Sequence, residues 1–71
     1  MYNKYLIKFS RRTNNRWYLE QEDYEKIEIV RLRVYQLLKD SIHPTKNLIV
    51  LYKTNDNFED ITDEVIKNMK L

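Results

Sequence analysis

A chain of 71 residues that contains no glycine has to build its left-handed turns from something else. Glycine takes positive φ without steric cost, and asparagine is the best of the remaining residues at it. The turn to look for is therefore an asparagine turn. Asn14-Asn15 supplies one, inside the stretch KFSRRTNNRWY that runs from residue 8 to residue 18. Before it, YNKYLIKF (2–9) alternates, with Tyr5, Ile7 and Phe9 on one face and Lys4, Leu6 and Lys8 on the other. A period of two marks a half-buried strand. After it, RWYLE (16–20) reads as a short partner strand, with Trp17 and Leu19 facing opposite to Arg16 and Tyr18. The expectation is a hairpin in which Trp17 and Leu19 join Tyr5, Ile7 and Phe9 against the core.

Residues 21–42 predict the main helix. On a wheel of about 100° per residue, Tyr24, Ile27, Val30, Val34, Leu37 and Leu38 gather on one side. Glu22, Asp23 and Glu25 fall in the first turns, where the helix dipole favours acids, and Lys39 falls near the end. Pro44 disfavours helical geometry at His43, which stops the helix by about residue 42. LIVLY (48–52) is continuously apolar, the mark of a strand covered on both faces. A polar turn at Asn55-Asp56-Asn57 precedes a short extended piece, FEDI. Thr62 then reads as an N-cap, with Asp63 and Glu64 in the first turn and Ile61 and Ile66 placed as a hydrophobic staple. The terminal helix, over 63–70, would bury Val65, Ile66 and Met69.

The order ββα then β(β)α predicts a small α+β two-layer sandwich. Its mainly antiparallel sheet has three or four strands in the order 2-1-3, with a fourth at the edge. A right-handed crossover lays the long helix across one face, and the short helix closes the chain. Residues 1–71 make one domain, and a chain of this length buries only about 60% of its unfolded surface.

Composition sets further bounds. The absence of cysteine removes disulfides and thiolate metal sites and fits a reducing compartment. No apolar run approaches the ~20 residues of a membrane span, and the polar start does not read as a signal peptide, so a cytoplasmic protein is expected. Lys, Asn, Ile and Tyr make 28 of the residues, and alanine is missing along with glycine. Such usage points to an A/T-rich gene, as in low-GC bacteria, their phages and their mobile elements. Net charge is +2, but it is segregated along the chain: residues 1–19 and 29–54 are basic, and 20–28 and 55–71 are acidic.

A phosphate-cradling loop ordinarily needs glycine, so Walker and dinucleotide fingerprints are excluded. His43 is the only histidine, and zinc would need further nitrogen or sulfur ligands. Ser41-x-His43 is a sequential spacing, whereas nucleophile and base are assembled in space with a third orienting group. Asp56, Glu59, Asp60, Asp63 and Glu64 lack the glycine turn and terminal glutamate of a calcium loop, and read as solvated turn and helix start. No catalysis, cofactor or metal is expected.

Two surfaces offer themselves instead. Tyr2, Lys4, Leu6, Lys8, Arg16 and Tyr18 share the outer hairpin face, extended at the tip by Arg11 and Arg12. Bases with aromatics suit nucleic acid, and the same mixture suits a protein contact. On the back of the long helix, Ile29, Leu32 and Gln36 lie outside the core stripe and suggest a self- or partner interface, unless the terminal helix packs over them. The function expected is that of a small non-catalytic binding protein. An accessory or inhibitor protein of a phage or mobile element, docking onto a host protein or nucleoprotein complex, fits the size and composition. Direct DNA or RNA binding through the basic hairpin is the alternative, and a structural homodimer the third reading. No membrane partner is expected.

Overall fold

The computed structural model describes residues 4–69. Six elements follow in order: β1 (Tyr5–Thr13), β2 (Arg16–Tyr24), α1 (Ile27–Lys39), β3 (Thr45–Lys53), β4 (Phe58–Asp60) and α2 (Thr62–Lys67). The strands form one antiparallel sheet in the order β2-β1-β3-β4. Both helices pack on one side of it, α1 over β1 and β2 and α2 over β3. This is the expected two-layer α+β sandwich. The parts of the expected first strand and last helix that fall on residues 2–3 and 70, Tyr2 among them, lie outside the described residues.

The hairpin turn is the asparagine turn. Thr13 pairs with Arg16, so Asn14 and Asn15 alone make the bend, at φ of 52° and 63°. Positive φ at both central residues is the twist-matched hairpin geometry that glycine usually supplies. Pairing then runs unbroken to Tyr5↔Tyr24. β2 is therefore longer than RWYLE, and it takes in Glu22, Asp23 and Tyr24, which the helical wheel had claimed. α1 starts at Ile27, with no side-chain cap from Lys26. The ladder to β1 outweighs the attraction of those acids to a helix start.

The face assignment of β2 is reversed. With two residues in the turn, odd-numbered residues of β1 pair with even-numbered residues of β2. Ile7 and Phe9 therefore share their side with Glu22 and Glu20, while Trp17 and Leu19 stand beside Arg12 and Ser10. Trp17 is 41% exposed and Leu19 82%. Neither is core.

The core consists of Ile7, Phe9, Val30, Val34, Leu37, Val50 and Val65, with Tyr5, Tyr24, Ile27, Leu48, Ile61 and Met69 packed against it. Leu38, expected on the buried stripe, is exposed, and Tyr24 reaches the core from β2 instead. The helix-facing side of β2 is closed by a polar clasp. Arg33 of α1 donates from Nε to Glu22 Oε1 at 2.7 Å and from Nη2 to Oε2 at 2.8 Å, and the Tyr24 hydroxyl donates to Oε1 at 2.6 Å.

β3 carries a bulge where its register with β1 shifts between Lys8 and Ser10, and Asn47 sits there at φ 56°. A bulge adds one residue and flips the alternation. Leu48, Val50 and Tyr52 face the helices, whereas Lys46, Ile49 and Leu51 face away. LIVLY is thus covered on one side only: the terminal helix joins α1 rather than covering the second face. Thr62 is the first residue of α2 rather than its N-cap. Its Oγ1 accepts the Val50 N–H at 2.8 Å and donates to Asp60 Oδ1 at 2.6 Å, tying the helix start to β3. Ile66 is half-buried and stands outside the core cluster.

Candidate binding face

The side of the sheet without helices presents four strands in rows. Trp17 stands beside Arg12; Leu19, Ser10 and Lys46 form the next row; then come Gln21, Lys8 and Ile49; then Asp23, Leu6, Leu51 and Asp60; Lys53 and Phe58 close the far corner. Apolar side chains cross the face diagonally, from Trp17 and Leu19 at one corner through Ile49, Leu51 and Leu6 to Phe58 at the other. Leu6 is buried among its neighbours at the centre. Ile49 is 40% exposed and Phe58 57%. Isolated exposed apolar residues are ordinary; here Trp17 and Leu19 form one group at the hairpin corner and Ile49, Leu51 and Phe58 a second, with Ser10 and Lys8 between them.

The surrounding charge is basic. Lys8, Arg12, Lys46 and Lys53 share the face with Asp23 and Asp60. Asp60 is partly spoken for, since hydrogen bonds from the Thr62 hydroxyl and amide hold its carboxyl below the usual range. Lys46 lies over the Trp17 ring with Nζ 4.2 Å from its centre, a cation–π contact that orients both groups. The face offers two apolar groups, two exposed aromatic residues and, interspersed with them, four cations.

The expected contact residues divide between the two sides of the sheet. Leu6, Lys8 and Arg12 lie on the open face, and Lys4 is exposed just before β1. Arg11, Tyr18 and Arg16 lie on the helix side by the same register. Arg11 is further committed to Asp40, Nη2 to Oδ2 at 2.9 Å. That Asp40 carboxylate also accepts the amides of His43 and Ile42, and these bonds, with Arg11, hold it below the usual carboxylate range. The three arginines of the tip therefore do not converge. What sequence reasoning missed on this face is Trp17, Leu19, Lys46, Ile49, Lys53 and Phe58. The signal for the first two was present: a two-residue turn fixes which strand faces match.

On the outer side of α1, Ile29, Leu32 and Gln36 are exposed, with Leu32 at 61%, and α2 does not cover them. Tyr35 and Leu38 extend the strip. Between α1 and α2 lies an open cleft of about 270 Å³, floored by Tyr5 and Tyr52 with ring centres 5.2 Å apart and rimmed by Arg31, Glu59 and Glu64. Among the described residues no group of histidines, cysteines or acids is arranged to hold a metal, and no helix is long and apolar enough to cross a membrane. Comparison with known protein families, curated proteins and solved structures gave no match.

Proposed function

We propose that the chain is a small non-catalytic binding module that docks its open sheet face onto a protein with an apolar patch and an acidic rim. One observation carries this reading: Trp17, Leu19, Ile49 and Phe58 stand exposed on a sheet face that neither described helix covers, interspersed with Lys8, Arg12, Lys46 and Lys53. Aromatic and apolar anchors surrounded by polar groups are the usual anatomy of a protein contact, and the cations select a partner of opposite sign. A residue usage that implies an A/T-rich gene supports the role of a phage or mobile-element accessory or inhibitor acting on a host protein or nucleoprotein complex.

Single-stranded nucleic acid is the second reading, favoured by aromatic rings and bases on one flat sheet. Against it, Lys46 occupies a face of the Trp17 ring on which a base would stack. Arg11 is neutralised by Asp40, and Arg16 and Tyr18 point to the other side. The test is affinity capture from the native host or an infected cell, with and without nuclease, using the wild type, Leu19→Glu/Phe58→Glu and Ile29→Glu/Leu32→Lys. A protein retained after nuclease by the wild type and the helix variant, and lost by the sheet variant, supports the proposal. Loss of all capture on nuclease treatment makes nucleic acid the ligand. Loss only in the helix variant moves the interface to α1.

A further inference from the structure

We infer that the hairpin tip carries an oxyanion site that takes a phosphate group. The β1–β2 turn and the segment joining α1 to β3 meet there, pinned together by the Arg12 amide donating to the Pro44 carbonyl at 3.0 Å. Between them opens a concavity of about 340 Å³, lined by Arg12, Asn14, Asn15, Ser41, His43 and Pro44 beside the exposed Ile42. That is room for a phosphate and part of the group that bears it. The residues that line the concavity include an arginine, a histidine, a serine and two asparagines, and no aspartate or glutamate.

The nearest acid on this segment is Asp40, and its capacity is taken up elsewhere. One oxygen accepts the Ile42 and His43 amides at 3.0 and 2.9 Å, and the other accepts Arg11. Arg11 thus cancels the local negative charge, and Arg12 makes no ion pair among the described residues. A guanidinium fork matches two oxygens of a phosphate, and hydroxyl, imidazole and carboxamide N–H groups can donate to the others. Ser41 and His43, whose sequential spacing does not make a nucleophile and its base, stand here with the two turn asparagines. The fold brings them into one concavity with Arg12, where they make a receptor for an anion rather than a nucleophile and its base. The ligand chemistry is a terminal phosphate group, whether free inorganic phosphate or the 5′-phosphate of a nucleotide.

Amide chemical shifts of isotope-labelled protein, followed during titration with inorganic phosphate, adenosine 5′-monophosphate and adenosine at constant ionic strength, test the site. Phosphate and the monophosphate are expected to move the amides of Arg12, Asn14, Asn15, Ser41 and His43 saturably, and adenosine is expected to move none. Arg12→Gln should weaken phosphate roughly tenfold or more, as the loss of a charge-assisted pair does. His43→Gln should weaken it less. Arg16→Gln, at the same tip but on the helix side of the sheet, should leave it unchanged. Equal affinity for phosphate and the monophosphate identifies free phosphate as a sufficient ligand, and tighter binding of the monophosphate identifies a nucleotide. A linear, non-saturating response, or equal losses in Arg12→Gln and Arg16→Gln, would overturn the assignment in favour of diffuse attraction to a basic tip.

Discussion

Glu22 meets Arg33 through both of its oxygens and also accepts the Tyr24 hydroxyl, so β2 and α1 are joined by a single half-buried carboxylate. The Arg33 hydrogen bond, aided by Tyr24, holds the Glu22 pKa below its ordinary value against the opposing effect of burial. Its folded value is therefore lower than its unfolded one. The stability it contributes is complete above the ordinary glutamate range and is lost as pH falls through the lowered folded value. Tyr24 is shifted up, first by burial and then by its bond to Glu22. Its contribution is complete below the ordinary tyrosine range and is lost as pH rises through the raised value. Denaturant midpoints measured across pH should fall at both ends. Glu22→Gln should flatten the acid limb and cost about 1 kcal/mol at neutral pH, the charge-assisted part of the clasp. Thr45 offers the opposite case. Its Oγ1 and the Arg11 Nε are buried without a hydrogen-bond partner among the described residues. Thr45→Val removes an unsatisfied hydroxyl at nearly constant shape and should raise stability by about 1 kcal/mol, or ~4–8 °C in Tm for a domain of this size. Trp17→Ala, on the open face, should leave a soluble, cooperatively melting protein about 1 kcal/mol less stable. A core tryptophan would cost ~3–5 kcal/mol and unfold so small a domain.

Among the elements, the asparagine turn decides more than any other feature. It was legible because a chain without glycine has few residues able to hold φ of 52° and 63° in succession. Its consequence was also legible, since two turn residues force odd on even across the hairpin, but pooling the apolar residues of both strands on one face placed Trp17 and Leu19 wrongly. The strand-helix boundary after residue 20 was not legible. Glu22, Asp23 and Tyr24 fit a helical wheel and a helix dipole equally well, and only the ladder to Leu6, Ile7 and Tyr5 makes them strand. The bulge at Asn47 was equally hidden, because LIVLY reads as apolar at every position and carries no alternation to betray a flip. These elements yield a further prediction. Asn15→Gly should stabilise the hairpin, since glycine takes positive φ freely, whereas Asn15→Val should destabilise it by about 1–2 kcal/mol, the steric cost of a left-handed residue. Thermal melts of the pair against the wild type check both signs.

At the scale of the whole molecule, layer order and strand order followed from the sequence because crossover handedness and short connections leave few alternatives to 2-1-3 with an edge strand. The placement of α2 did not follow, since Val65 and Met69 would fit either side of the sheet. With α2 beside α1, neither described helix covers the other sheet face, and the α1 strip of Ile29, Leu32 and Tyr35 is a separate exposed surface. Ile29→Glu/Leu32→Lys should leave circular dichroism unchanged and abolish any dimer seen by sedimentation; unfolding of this variant would place those side chains in the core. Residual affinity of the open face for single strands should follow its four cations, with a log–log salt slope of about −3 and no sequence preference. If partners dock on the open face as proposed, Trp17 reports on it directly as the chain's only tryptophan. Iodide quenching of its fluorescence should be strong in the free protein, because Trp17 is 41% exposed and Lys46 and Arg12 concentrate an anion beside it. In complex with the captured partner, quenching should fall sharply and emission should shift to the blue. A partner bound at saturation with Trp17 still fully quenched would contradict the account.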